Sequence, residues 1–316
     1  MRNKPDFHPS APGGIHYLHG LRVASELPLP GLASGASGAA DVRIGWGRVP
    51  AGLQGRPFQG FKFEAVPGQL LIRTLRIADI LVQSGRTMAI QPRPDAREGE
   101  IRMLVLGWGL AALLLQRGLL PLHGSALDTG SGCVLFCGRS GAGKSTLAAA
   151  CLDRGLGLLD DNLAVVRLEA GRAAVHPGVP EIRLCPDAVA RLGRPAGMAR
   201  ADSPGEEKVL LDARGQFCRG PVPLRGIYVL ERGEGPRTEV AALGPAGAAA
   251  ALWRHVFRRP FVAGLDAAAP LFATILHLAR SVPVRRVRWA GALPPPQAMA
   301  AQLEQDWQSL GSPHGY

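Results

Sequence analysis

The chain has 316 residues, 47% of them hydrophobic, and carries 36 Lys and Arg against 25 Asp and Glu, a formal net charge of +11. That length allows roughly two domains of ~150 residues with real cores, while Gly, Pro and Arg interrupt the apolar residues before any run of ~20 could span a bilayer. None of the five cysteines falls in a CxxC or CxxH pair, which excludes a small disulfide scaffold and a zinc site of the usual spacing. The Arg pairs at 258–259 and 285–286 lack the interleaved aromatics of a nucleobase-stacking surface, which speaks against a nucleic-acid partner.

The opening MRNKPDFHPSAPGG is polar and has no signal-peptide core, so residues 1–14 are expected to be disordered and the protein to stay in the cytoplasm. Residues 15–97 read as short strands between Gly and Pro turns (IHYLHGLRVAS, DVRIGW, FKFEAV, LLIRTLRIADILV, TMAIQP), a β-rich module without an evident catalytic cluster. Residues 98–118 change to a largely apolar helix, IRMLVLGWGLAALLLQRG, which marks a domain boundary. From 119 to 316 strands and helices mix: LPLHGSAL and GCVLFCG as strands, KSTLAAACLDRG as a helix, then LGLLDDNLAVVRLE as a returning strand. Further strands are expected at AAVHP, EIRLC, KVLLDA, RGIYVLE and VRRVRWA, with helices at AAAALWRHVF, LFATILHLARSV and after the prolines 294–296. Cys133 and Cys137, inside an apolar run, are expected to be packed thiols.

Chemistry concentrates in the last of these regions. GRSGAGKST comprises Gly138, Arg139, Ser140, Gly141, Ala142, Gly143, Lys144, Ser145 and Thr146, the Gly-x4-Gly-Lys-Ser pattern of a phosphate-binding P-loop. Glycines permit a tight loop whose N–H groups converge on phosphate oxygens, and the following helix adds the positive end of its dipole. In that pattern Lys144 reaches the β- and γ-phosphates and the Ser145 hydroxyl enters the shell of a divalent metal. Asp160 and Asp161 close the apolar run LGLL, sixteen residues after Lys144. Strand alternation sends their side chains to opposite faces, one toward a metal and one toward a substrate hydroxyl; a bent strand end would aim both at the metal, and Asp-Asp-Asn also suits a plain turn. His123, following LLPL, is placed to line a site, although a lone histidine is more often structural. Lys208 and Arg214, in the polar stretch EEKVLLDARG, are candidates to neutralise a transferring phosphoryl group, or else ordinary surface cations.

The order LHGSAL, GRSGAGKST, LLDDN, with its short spacing, resembles the catalytic domain of HPr kinase/phosphorylase and the wider HPr-kinase-like group. GLRVASELPLPGL resembles that wider group too, some members of which accompany lasso-peptide and other peptide biosynthesis. The resemblance implies an α/β fold, a P-loop HPr-kinase-like catalytic domain with a smaller β-rich N-terminal domain. It also implies ATP- and Mg²⁺-dependent phosphorylation of a serine in a peptide or protein, with Asp160 as general base, Asp161 on the metal and His123 in the active site. Glu181 and Arg183, in PEIRL, are similar to a Glu-Ile-Arg stretch of that family, which implies metal and phosphate contacts. Leu184 and Cys185 stand where the family has glycines, so phosphorylase activity is not carried over, and the N-terminal module differs from that of HPr kinase, so HPr itself is not implied. A small-molecule hydroxyl acceptor, or a nucleotide-binding regulator without transfer, remain the alternatives. No membrane partner is expected, and homo-oligomerisation is left open.

Overall fold

Alternating burial turns the first part of the chain into a sheet: in Leu21–Ser25 the side chains of Leu21, Val23 and Ser25 point inward, and in Phe63–Val66 those of Phe63 and Ala65 do. The computed structural model describes residues 13–35, 38–194, 208–233, 238–289 and 294–310. All but the last two residues of the expected disordered N-terminus lie outside the described residues. Strands β1 (Gly13–Leu18), β2 (Leu21–Ser25), β3 (Val42–Trp46), β4 (Phe58–Gly60), β5 (Phe63–Val66), β6 (Gln69–Arg73), β7 (Ala78–Gln83) and β8 (Thr87–Pro92) form one sheet in the order β1-β2-β3-β8-β7-β6-β5-β4. The pairings β2–β3 and β3–β8 are parallel and the others antiparallel.

The apolar stretch after this sheet is helical, as its sequence predicts, but not uniformly so. Helix α1 (Glu98–Leu104) passes into a π turn at Val105–Gly109 and continues as α2 (Leu110–Gln116), the wider turn falling where two glycines lower the helical preference. Residues Leu110 to Leu115 are all buried. The chain divides into two compact units, and this helix belongs to the first, together with the much later segment Arg258–Leu271. Within that segment the short helix Pro260–Leu265 buries Phe261, whose ring meets Phe63 edge-on at 4.6 Å and lies 5.9 Å from Trp108. The Arg258 guanidinium covers Trp108 at 3.7 Å, a cation–π contact.

The second unit is built on a mixed sheet from β9 (Leu120–Leu122), β10 (Gly124–Asp128), β11 (Cys133–Gly138), β12 (Gly157–Asp161), β13 (Ala164–Glu169), β14 (Arg172–His176) and a long β17 (Val222–Arg232). Their order is β12-β10-β11-β17-β14-β13-β9, with β19 (Val284–Trp289) paired to β17 and β18 (Glu239–Ala242) paired to β19. Strands β15 (Glu181–Leu184) and β16 (Val209–Asp212) form a separate antiparallel ribbon. The helices are α3 (Lys144–Asp153), α4 (Pro186–Arg191), α5 (Pro245–Arg254), α6 (the Pro260–Leu265 helix of the first unit), α7 (Ala268–Ser281) and α8 (Pro296–Ser309). Helix α3 is buried from Thr146 to Leu152 and shares an apolar core with Phe136, Tyr228, Trp289, Leu303 and Trp307. Cys133 and Cys137 are fully buried in β11, and desolvation raises both thiols, Cys137 to about 12, so they pack as inert apolar groups. The basic run on β19 is set against carboxylates: Arg286 and Arg288 face Glu231, and Arg285 faces Asp306.

Two stretches that read as single strands are broken. LPLHGSAL divides at His123 into β9, paired with β13, and β10, paired with β11 and β12. LGLLDDNLAVVRLE divides at Asn162, whose φ of 120° no regular strand accommodates, into β12 and β13. The two breaks are tied together, since Asn162 N–H donates to Gly124 O at 2.9 Å.

Phe261 gives a direct measure of how firmly the late segment is seated. Phe261→Ala is expected to destabilise the first unit by roughly 3–5 kcal/mol, the usual cost of an aromatic removed from a packed core, read as a lowered midpoint in chemical denaturation.

Candidate active site

Strand β11 is buried along its whole length and ends at Gly138, where a Cβ would come within 2.9 Å of the main-chain oxygen of Leu230. The loop 139–143 then turns the chain into α3, with Gly143 holding a left-handed φ of 84° at the helix entrance, a conformation that costs other residues energy. Arg139, Ser140 and Gly141 are exposed, Ala142, Gly143 and Ser145 half-buried, and Thr146 buried. Lys144 is 7% exposed, and its ammonium donates to Gly138 O at 2.9 Å and Arg139 O at 3.0 Å. Burial holds its pKa below the ordinary value, against the opposing pull of Asp161. The N–H groups of the first turn of α3 have no intrahelical acceptors, and donors of this kind suit an anion.

The aspartate pair is aimed by the pairing of β10 with β12. Ser125 stands opposite Asp161 and Ala126 opposite Asp160, but Leu127 stands opposite Leu158, so Leu159 is an extra residue in a β-bulge. Bulges bend a strand end and redirect its side chains. Asp161 Oδ1 accepts from the Ser125 hydroxyl at 2.5 Å and Oδ2 from Arg183 N–H at 3.3 Å, and the Ser145 hydroxyl lies near enough to favour the ionised form of the same carboxylate. Asp160 turns to a different set: Leu163 N–H donates to Oδ1 at 2.8 Å and Val179 N–H to Oδ2 at 3.0 Å. Burial raises both carboxyls, Asp160 to about 7, with the two N–H bonds pulling the other way.

Around this pair the structure gathers some of the residues singled out in the sequence and not others. His123 is half-buried, with Nδ1 3.2 Å from Asn162 O and its ring tilted against Phe257 at 5.5 Å. The main-chain N–H of His123 donates to His255 O at 2.8 Å. Arg183 reaches Asp161 through its main chain, and the charge of Lys208 acts on Lys144. Arg214 is instead bound to Asp212, at 2.9 and 3.0 Å through Nε, and Glu181, opposite Asp212 in the ribbon, acts on Arg214. Two neighbours were not picked out from the sequence. Ser125, two residues beyond His123, carries the period-2 signal of a strand beside a candidate site residue. His255 had no such signal: it ends α5, and burial together with Lys144 pushes its pKa down to about 4.

For a divalent cation, Asp161 and Ser145 provide a carboxylate beside a hydroxyl, which suits Mg²⁺, an ion that takes one or two carboxylates and completes its shell with phosphates and water. Among the described residues no group of three or more His, Cys, Asp or Glu is gathered for a metal. Among the same residues no helix is long and apolar enough to cross a membrane.

The raised carboxyl of Asp160 has a consequence for stability. Below its ordinary value of 3.8 the group is protonated in folded and unfolded chains alike; above that the unfolded chain ionises first, and the fold loses stability until the pH passes about 7. The loss is expected to approach ~1.4 kcal/mol per pH unit inside that window. Asp160→Asn should remove this slope, leaving a pH-independent cost of about 1–3 kcal/mol because the amide NH₂ meets a main-chain donor. Urea denaturation of both proteins across pH 4–8 checks the difference.

No family model matches the sequence, and no curated protein matches it. Among solved structures the chain is similar to the HPr(Ser) kinase/phosphatase from Coxiella burnetii, at 12% sequence identity and a TM-score of 0.31, over 59% of this chain and 95% of that one. This is a distant likeness.

Proposed function

We propose that the protein is a serine kinase that binds ATP with Mg²⁺ at the 138–146 loop and transfers the γ-phosphoryl group to a serine hydroxyl of a peptide or protein. The observation that carries this reading is the meeting of Lys144, Ser145 and Asp161 at the start of α3, with Asp160 beside them. Loop N–H groups and Lys144 hold the β- and γ-phosphates. Asp161 and Ser145 hold the cation, which when bound offsets phosphate charge. As the serine oxygen forms its bond to phosphorus and the bridge to ADP breaks, Asp160 takes the hydroxyl proton, a task suited to a carboxyl near 7. Arg183 and Lys208 add positive charge around the transferring group, and His123 borders the acceptor side. Phosphoryl transfer asks for little beyond such positioning and charge stabilisation.

One observation favours a second reading, a nucleotide-responsive regulator that transfers nothing. Asp160 is only 3% exposed and both of its oxygens accept main-chain N–H bonds, as a purely structural carboxylate would.

The readings part on one set of measurements. Incubated with Mg-ATP and serine-containing peptides, the protein is expected to add a single phosphoryl group, detected by mass spectrometry, at a rate that rises with pH through about 7 as Asp160 ionises. Lys144→Ala should abolish transfer. Asp160→Asn should slow it by ~10²–10⁴-fold while nucleotide still binds. Binding of nucleotide with no acceptor ever labelled would leave the regulator.

A further inference from the structure

We infer that Ser125 is a positioning residue for the cation: its hydroxyl fixes the Asp161 carboxylate in the orientation that lets it share a metal with Ser145. This rests on the proposal that Asp161 and Ser145 hold Mg²⁺. Ser125 is fully buried in β10, directly between the buried residues Gly124 and Ala126. A hydroxyl removed from water costs free energy unless it is bonded, and this one donates its proton to Asp161 Oδ1 at 2.5 Å, within the range of strong bonds to a carboxylate. The contact follows from the sheet itself, because Ser125 and Asp161 are register partners across β10 and β12. The other oxygen is taken by Arg183 N–H from β15. With each oxygen anchored by a different element, the carboxylate cannot swing about its terminal torsion, and Ser145 approaches it from α3. Hydrogen bonds of this outer kind orient metal ligands, and their loss weakens metal affinity by ~10–100-fold.

The experiment measures ATP binding by the full chain as Mg²⁺ is titrated, using a fluorescent ATP analogue, with thermal unfolding in the absence of metal as the control for folding. For Ser125→Ala the half-saturating Mg²⁺ concentration is expected to rise at least ~10-fold, with metal-free nucleotide affinity unchanged. Should the alanine variant fail to fold, Ser125→Cys preserves the side chain's shape with a weaker donor and is expected to show a smaller rise in the same direction. A folded variant with the wild-type Mg²⁺ requirement overturns the role of Ser125 while leaving the kinase proposal standing. A wild-type protein whose nucleotide binding ignores Mg²⁺ overturns the metal site, and this inference with it.

Discussion

Strand β10 is hydrogen-bonded along both edges, and on that double pairing the rest of the site depends. One edge fixes Ser125 opposite Phe136 in β11, the strand that runs into the glycine loop; the other fixes it opposite Asp161 in β12, the strand that ends in the carboxylates. The loop and the aspartates are thus positioned by a shared ruler. A one-residue slip on either side would turn the side chains to the opposite face, and the Leu159 bulge shows how closely the end of β12 is adjusted.

The same arrangement sets the electrostatics. Lys144, Asp160 and Asp161 lie at or near the buried end of the sheet, where desolvation lowers the lysine and raises the acids. Each is held by directed polar contacts: loop carbonyls for the ammonium, main-chain N–H groups for Asp160, the Ser125 hydroxyl and the Arg183 N–H for Asp161. Charges fixed in a site of low polarity act more strongly on a ligand than the same charges in water, and need not reorganise when it reacts.

Much of this was legible from local pattern. The glycines of GRSGAGKST favour a tight turn, and Gly143 takes a left-handed φ just before Lys144 opens the helix. The short strands of the first region and the apolar helix after it follow from period and from Gly and Pro punctuation. The failures share a cause, which is that long-range pairing outranks local preference. Nothing in LPLHGSAL marks a break, and in LGLLDDNLAVVRLE the Asp-Asp-Asn turn is only one of the readings; each break arises where the two halves find different partner strands. Ser125 shares the periodicity of His123, but its tie to Asp161 exists only in the register across the sheet, and His255 joins the site from the end of a helix more than a hundred residues on. Residues 119–316 read as one domain, whereas the segment Arg258–Leu271 lies in the first unit, a fact invisible until Phe261 meets Phe63.

That returning segment has a bearing on how the protein could be divided, or could have been assembled. The chain leaves the second unit after Phe257 and re-enters it at Phe272, so no single cut separates the two. A shortened chain beginning at Leu120 would keep the loop and the aspartates but would carry Phe261, Val262 and Leu265 with no sheet to cover them. Such a fragment would present a sticky apolar helix, so the second unit is not a clean unit to express alone.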